Sequence, residues 1–228
     1  MDKTGKHSIK KEYWEKNIEN YSGFYYVSSE ENINIPFGLS VIYKKFLFPL
    51  ERKVTLERYN NVCSFINRNI KNGMKVADVG CGSGIFSKKI IEKSAFVFAM
   101  DYTSSALDLT KRNLLPDELN QIELTQLDIT KNSIPRVDVA ISIGVLPYID
   151  DLDKYFEHIL PYTNLFLFNY INKYNIFNMV RRVLSFLNVR NYSYHNFSEI
   201  STIADKYGFK VVEKKKLGTG FMLELKKI

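Results

Sequence analysis

A strand that runs into three alternating glycines and then a helix leaves few folds open to this chain. The run is Val76-Ala77-Asp78-Val79-Gly80-Cys81-Gly82-Ser83-Gly84, followed by Ile85 and Phe86. Glycine permits the tight turn and lets a ligand approach the main chain without a Cβ in the way. The amides at the start of the next helix can face anionic groups. The dinucleotide fingerprint is GxGxxG. Here the order is GxGxG, with Ile85 and Phe86 where the last glycine would be sought. Asp78 precedes the glycines inside an apolar strand. A carboxylate there would repel a pyrophosphate and suit a cationic, amine-bearing ligand. It could also order the glycine loop through main-chain amides, and the two roles are compatible.

From Met74 onward, short β-rich runs alternate with helical ones. Strands are expected at 75–79, 95–100, 122–127, 137–143 and 164–170, with helices at 85–93, 104–114, 152–160 and 198–207. Such alternation implies a mostly parallel sheet with helices on both faces. Two closing strands, 209–213 and 221–225, have too little chain between them for a crossover helix and should pair antiparallel. Upstream, 8–21 and 54–70 read as helices, the second stopped by Asn72–Gly73. The expected organisation is an N-terminal helical lid region, 1–72, and an α/β core, 73–228. At 228 residues the two form a single structural domain.

Charge and cysteine usage narrow the partners. The formal charge of +7 favours anionic partners, but the basic residues are scattered and the longest basic run is Lys214–Lys216, too short for a nucleic-acid arm. Cys63 and Cys81 are far apart, without metal-ligand spacing, which suits a reducing compartment. No stretch approaches the ~20 apolar residues of a membrane-spanning helix. A soluble, cytoplasmic protein without a metal is expected.

The residues Val76–Gly84 resemble the first motif of the class I S-adenosylmethionine-dependent methyltransferases. Three further features fall where that family would place them. Asp101 ends the second strand, Asp128 ends the third, and Ser142-Ile143-Gly144-Val145-Leu146-Pro147-Tyr148 follows the fourth. The resemblance implies a Rossmann-like seven-stranded, mostly parallel sheet with an antiparallel last strand, and S-adenosyl-L-methionine as cofactor. It also implies contacts from Asp78, Gly80, Cys81, Gly82 and Gly84 in the first loop, and from Asp101 and Tyr102 around the ribose. Asp128 and Ile129 would meet the adenine, while Ile143, Gly144 and Leu146 would pass under the methionine moiety. Tyr21, in the lid, is the implied aromatic contact.

Methyl transfer to an O or N atom needs alignment and, for many acceptors, a proton acceptor. His195, in Tyr192-Ser193-Tyr194-His195-Asn196, is the candidate base, since a histidine titrates near neutrality. Packing in a loop is its other reading. Tyr194–His195 before a helix, Gly208-Phe209, Gly220-Phe221 and Tyr21-Ser22-Gly23-Phe24 resemble the magnesium-protoporphyrin O-methyltransferases. The acceptor is thus expected to be a small molecule: a sugar, a lipid-linked or a tetrapyrrole-like compound. Residues 170–190 mix apolar and basic side chains, which fits either a helix roofing the sheet or peripheral contact with a membrane surface. Rival readings are a nucleic-acid methyltransferase, against which SIGVLPY lacks paired prolines, and a cofactor-binding protein without catalysis.

Overall fold

The computed structural model describes Trp14, Glu15, residues 48–183 and residues 192–228. The first long element is α1, Phe48–Asn69. Its buried Val62, Phe65 and Ile66 recur at helical spacing and turn one face to the core. There follow β1 (Lys75–Val79), α2 (Ile85–Ile91), β2 (Phe96–Asp101), α3 (Ser104–Asn113), β3 (Ile122–Gln126) and β4 (Val139–Ser142). The remainder comprises α4 (Leu152–Glu157), β5 (Leu165–Ile171), α5 (Ile176–Val183), α6 (Phe197–Lys206), β6 (Phe209–Leu217) and β7 (Gly220–Lys227).

The strands form one sheet in the order β3-β2-β1-β4-β5-β7-β6. β3, β2, β1, β4 and β5 run parallel, and β7 lies antiparallel to both β5 and β6. The expected architecture is therefore present, with β7 as the reversed strand. The strand order changes direction between β1 and β4, the point where ligands bind in open α/β sheets.

Each face of the sheet has its own core. On one, Tyr155, Phe156, Phe166 and Phe168 pack with Ile200 and Ala204 of α6. On the other, Val62, Phe65 and Ile66 of α1 meet Phe86 and Ile90 of α2 and Val76 and Val97 of the strands. α1 is thus part of the packed core, although it falls inside the expected lid region. Its C-terminal end is tied to the closing hairpin: Arg68 Nη2 lies 2.9 Å from both Glu213 Oε2 and Glu224 Oε2.

Among the elements that differ in extent from the sequence expectation are the two closing strands and the helix in 170–190. β6 and β7 run on to Leu217 and Lys227, because Lys214 and Lys216 sit on the exposed side of an edge strand, where lysines also discourage edge-to-edge pairing. In 170–190 the described helix is only Ile176–Val183. It does not roof the sheet, since Phe177 and Val183 are exposed.

Candidate active site

The Gly80–Gly84 turn is built by φ angles that only glycine takes without strain: 74° at Gly80, 57° at Gly82 and 74° at Gly84. Gly80 N–H and Cys81 N–H both donate to Met100 O, at 2.7 and 3.1 Å, docking the turn onto the end of β2. From α3, Thr110 Oγ1 donates to Gly82 O at 3.0 Å and Asn113 Nδ2 to Ser83 O at 3.0 Å. The buried Cys81 Sγ lies 3.6 Å from Thr110 Oγ1, and burial pushes its thiol up. The loop is therefore held at its own carbonyls, so its shape does not depend on a ligand.

Two buried carboxylates lie beside this turn. Asp78, in β1, accepts from Ser87 Oγ of α2 at 2.6 Å. Burial pushes its carboxyl up to about 6, against the lowering effect of that hydrogen bond. Asp101, at the end of β2, accepts from Thr103 N–H (3.0 Å) and Thr103 Oγ1 (2.8 Å) through one oxygen, and from Gly82 N–H (3.2 Å) through the other. Burial raises its pKa too, and its charge is one of the causes of the upward shift at Asp78. Two carboxyls that disfavour their own ionisation fit a ligand that brings positive charge or hydroxyl donors.

The remaining expected residues surround the same end of the sheet. Tyr102 follows Asp101, and burial raises its phenol. Asp128 accepts from Thr130 N–H and Oγ1, at 3.1 and 2.7 Å, and pairs with Lys131 at 3.0 Å. Ile129 beside it is buried. After β4, Gly144 (φ 84°) donates its N–H to Asn169 Oδ1 at 2.7 Å. Leu146 is fully buried, and its carbonyl is turned to the His195 ring. Tyr21 lies outside the described residues.

His195 is buried, and its Nε2 lies 3.0 Å from Ile149 O, an N–H donor to a carbonyl. The carbonyl of Leu146 also interacts with the ring, while burial lowers its pKa. The main chain is fixed too: His195 N–H donates to Ile171 O at 3.1 Å, and Ser193 N–H to Pro147 O at 2.7 Å. This geometry makes the ring a brace between the α5–α6 connection and the turn after β4.

Three residues of the site were not singled out from the sequence. Ser87 and Thr110 carry little signal on helices. Asn169 does carry one, as a lone amide in the apolar run Leu165–Ile171. From the N-terminal region, Trp14 packs edge-on against Tyr148 at 5.2 Å, and the Glu15 carboxylate accepts from Ser104 and Ser105 N–H at 3.1 and 3.2 Å. These two residues thus touch the turn after β4 and the start of α3, on either side of the glycine turn. Among the described residues no cluster of His, Cys, Asp or Glu could hold a metal ion.

A family profile described as a methyltransferase domain matches residues 70–215, well over half of the chain. The chain belongs to this methyltransferase family. Among curated proteins, the ribosomal protein L11 methyltransferase of Caldanaerobacter subterraneus is 33% identical over 79 residues, 34% of this chain and 26% of that protein. The ubiquinone biosynthesis O-methyltransferase of Haemophilus ducreyi is 29% identical over 85 residues, 35% of this chain and 36% of that protein. The chain thus matches about a quarter to a third of the length of these curated relatives. Among solved structures, magnesium protoporphyrin IX methyltransferase from Synechocystis PCC 6803, with S-adenosylhomocysteine bound, aligns over 98% of this chain and 100% of that one. The TM-score is 0.75 at 16% identity, which establishes the shared fold. The N-methyltransferase NodS from Bradyrhizobium japonicum covers 76% of this chain and 87% of its own, with a TM-score of 0.60 and 13% identity.

Proposed function

We propose that this methyltransferase takes S-adenosyl-L-methionine as donor and methylates an oxygen or nitrogen atom of a small molecule. One observation carries the reading: two buried carboxylates with raised pKa, Asp78 and Asp101, flank a preformed glycine turn at the switch point of the sheet. The donor supplies a methyl group on a sulfonium, together with an ammonium and a ribose diol. Asp78 would compensate the positive charge, and Asp101 would accept the ribose hydroxyls with lone pairs not used by Thr103 and Gly82. Tyr102 would stand beside Asp101 at the ribose, and Asp128 and Ile129 would line the adenine end. Gly80, Cys81, Gly82, Gly84, Ile143, Gly144 and the Leu146 main chain would meet the methionine end. Catalysis in this arrangement is largely alignment.

His195 is assigned a positioning role, through the Leu146–Ile149 turn. Replacing it with alanine is expected to lower stability by about 2 kcal/mol, the scale of a lost buried hydrogen bond with a small cavity. Thermal unfolding of His195→Ala checks this. An unchanged midpoint with a 10²–10⁴-fold fall in turnover would mark the ring as proton acceptor instead.

Residues 1–72 would act as lid, with Trp14 and Glu15 closing over the site and α1 built into the core; Tyr21 would be its cofactor contact. The acceptor is a small molecule, with residues 170–190 facing a membrane surface from the cytoplasm. No helix among the described residues is long and apolar enough to cross a membrane.

The test is calorimetric titration with S-adenosylhomocysteine beside NADH, repeated across pH. Micromolar binding of the former alone is expected near neutrality. The folded-state pKa of Asp78, about 6, lies above the ordinary 3.8. The native ligand-free protein therefore holds a proton that the unfolded chain releases between these values. The stability Asp78 contributes is present at low pH and lost as pH rises through about 6. A ligand ammonium favours the ionised form, so affinity should fall below pH 6 by up to about tenfold per pH unit, with proton release on binding. Binding of NADH would overturn the reading, and affinity independent of pH between about 5 and 7 would remove Asp78 from it.

A further inference from the structure

Helix α5 presents its apolar side to the outside and its polar side to the protein. Asn178 is fully buried, and its Nδ2 donates to the main-chain oxygens of Asn172 and Thr219 at 2.8 and 2.9 Å. Asn175 Oδ1 accepts from Phe177 N–H at 3.1 Å, and Asn172 Oδ1 from Tyr174 N–H at 3.3 Å. The Asn178 bonds fix the rotation of the helix about its axis, and the other two shape the turn that leads into it. Turned this way, Ile176 is 65%, Phe177 68% and Val183 83% exposed, with Met179 and Val180 both at 46% beside them. Tyr174, just ahead of the helix, is 66% exposed. Scattered single apolar side chains on a surface need no explanation, whereas a contiguous group on one helix face does.

The sequence around this helix carries charges of one sign. No Asp or Glu occurs between Glu157 and Glu199, while the same stretch holds Lys173, Arg181, Arg182 and Arg190. Arg182 is exposed. An apolar helix face in a stretch of sequence rich in cations and free of acids, its described turns far too short to span a bilayer, matches the interfacial class of amphipathic helix. Such a face needs no directional partner, since lipid accepts the side chains in any orientation and acidic headgroups complement the arginines. α5 also follows β5, so it leaves the C-terminal end of the parallel strands, the end that carries the glycine turn and Asp101.

We infer that α5 is an interfacial anchor that seats this end of the sheet on the surface of an anionic lipid bilayer. This deepens the reading of 170–190 as a membrane-facing segment, and within the methyltransferase reading it puts the acceptor at the lipid boundary. Attraction to the headgroups brings the helix to the surface, and burial of Ile176, Phe177 and Val183 among the acyl chains holds it there.

The experiment is co-sedimentation of the full chain with vesicles of equal parts phosphatidylcholine and phosphatidylglycerol, beside vesicles of phosphatidylcholine alone. The wild type should bind the mixed vesicles more tightly, and the binding should weaken with added salt. Phe177→Glu should lower it by roughly tenfold or more, and Arg182→Glu several-fold. Both side chains are exposed, so unchanged thermal midpoints are expected to show intact folds. Failure of the wild type to bind mixed vesicles, or equal binding by Phe177→Glu, overturns the anchor. So does a wild-type dimer in light scattering that Phe177→Glu dissolves, since the face then belongs to a second copy of the chain. Titrating the same variants with S-adenosylhomocysteine without lipid separates the two readings. Unchanged affinity in the variants is expected, whereas absent affinity in the wild type removes the donor and leaves the anchor standing.

Discussion

Gly80→Ala is expected to cost about 4 kcal/mol of folding stability and to abolish cofactor binding. Two terms add. At φ 74° an alanine occupies the left-handed region, which costs an L residue about 1–2 kcal/mol. Its Cβ would also stand 2.1 Å from Val145 Cγ2, deep inside contact distance. Overpacking of this kind costs about 1–3 kcal/mol. Relief requires Val145 to move, and Val145 sits between Gly144 and Leu146 in the loop proposed to pass under the methionine. Denaturant unfolding and S-adenosylhomocysteine titration measure the two effects. Adding Val145→Ala should remove the clash but keep the backbone strain, so about half the stability returns. A wild-type denaturation midpoint for Gly80→Ala would show that the turn does not have the geometry described.

Asp101→Ala should weaken S-adenosylhomocysteine binding by about 10²-fold, equivalent to about 3 kcal/mol. The carboxylate is the one acceptor here that joins two loops, through Thr103 on one side and Gly82 on the other. Alanine deletes the proposed ribose contact and leaves three loop donors, Thr103 N–H, Thr103 Oγ1 and Gly82 N–H, unmet. Asp101→Asn keeps one acceptor oxygen and loses the charge, so its affinity should fall between the two. Calorimetry decides the matter, and equal affinities for all three proteins would take Asp101 out of the site.

The sheet was legible in the sequence because its strands are short apolar runs punctuated by glycine, asparagine and charged residues. The turn at Gly80–Gly84 and the strand-end positions of Asp101 and Asp128 could be read for the same reason. What supports those residues was harder to see. Ser87 meets Asp78 only because α2 folds back onto β1, and nothing in Ile85–Ile91 distinguishes that serine from a solvent-facing one. Asn169 was visible as a misfit in an apolar strand, yet its partner, Gly144, belongs to a different strand end. His195 shows the limit of residue type: the chemistry of imidazole suggests a base, while the hydrogen bond to the Ile149 carbonyl gives the same ring a structural task that no residue pattern reports. In α5 the periodicity gave an amphipathic helix without saying which side faces the protein. The buried Asn178 amide settles that, and its two acceptors are main-chain oxygens that no side-chain pattern reports.

The way α1 is fastened has a mechanical consequence. Its C-terminal end is held by Arg68 between Glu213 and Glu224. Further up the helix, Val54 lies against Gly218, and Arg58 Nη1 would be 3.8 Å from a Cβ built on Gly144. From position 68 to position 58 the axis runs about 15 Å, so a tilt of about 4° about the Arg68 end carries the other end through about 1 Å. A displacement of that size is enough to cost aligned reactants about 10²-fold in rate. With its fulcrum on the closing hairpin the helix steps a movement down: position 58 lies halfway between 68 and 48, so a swing at the start of α1 reaches the Gly144 loop at about half its size.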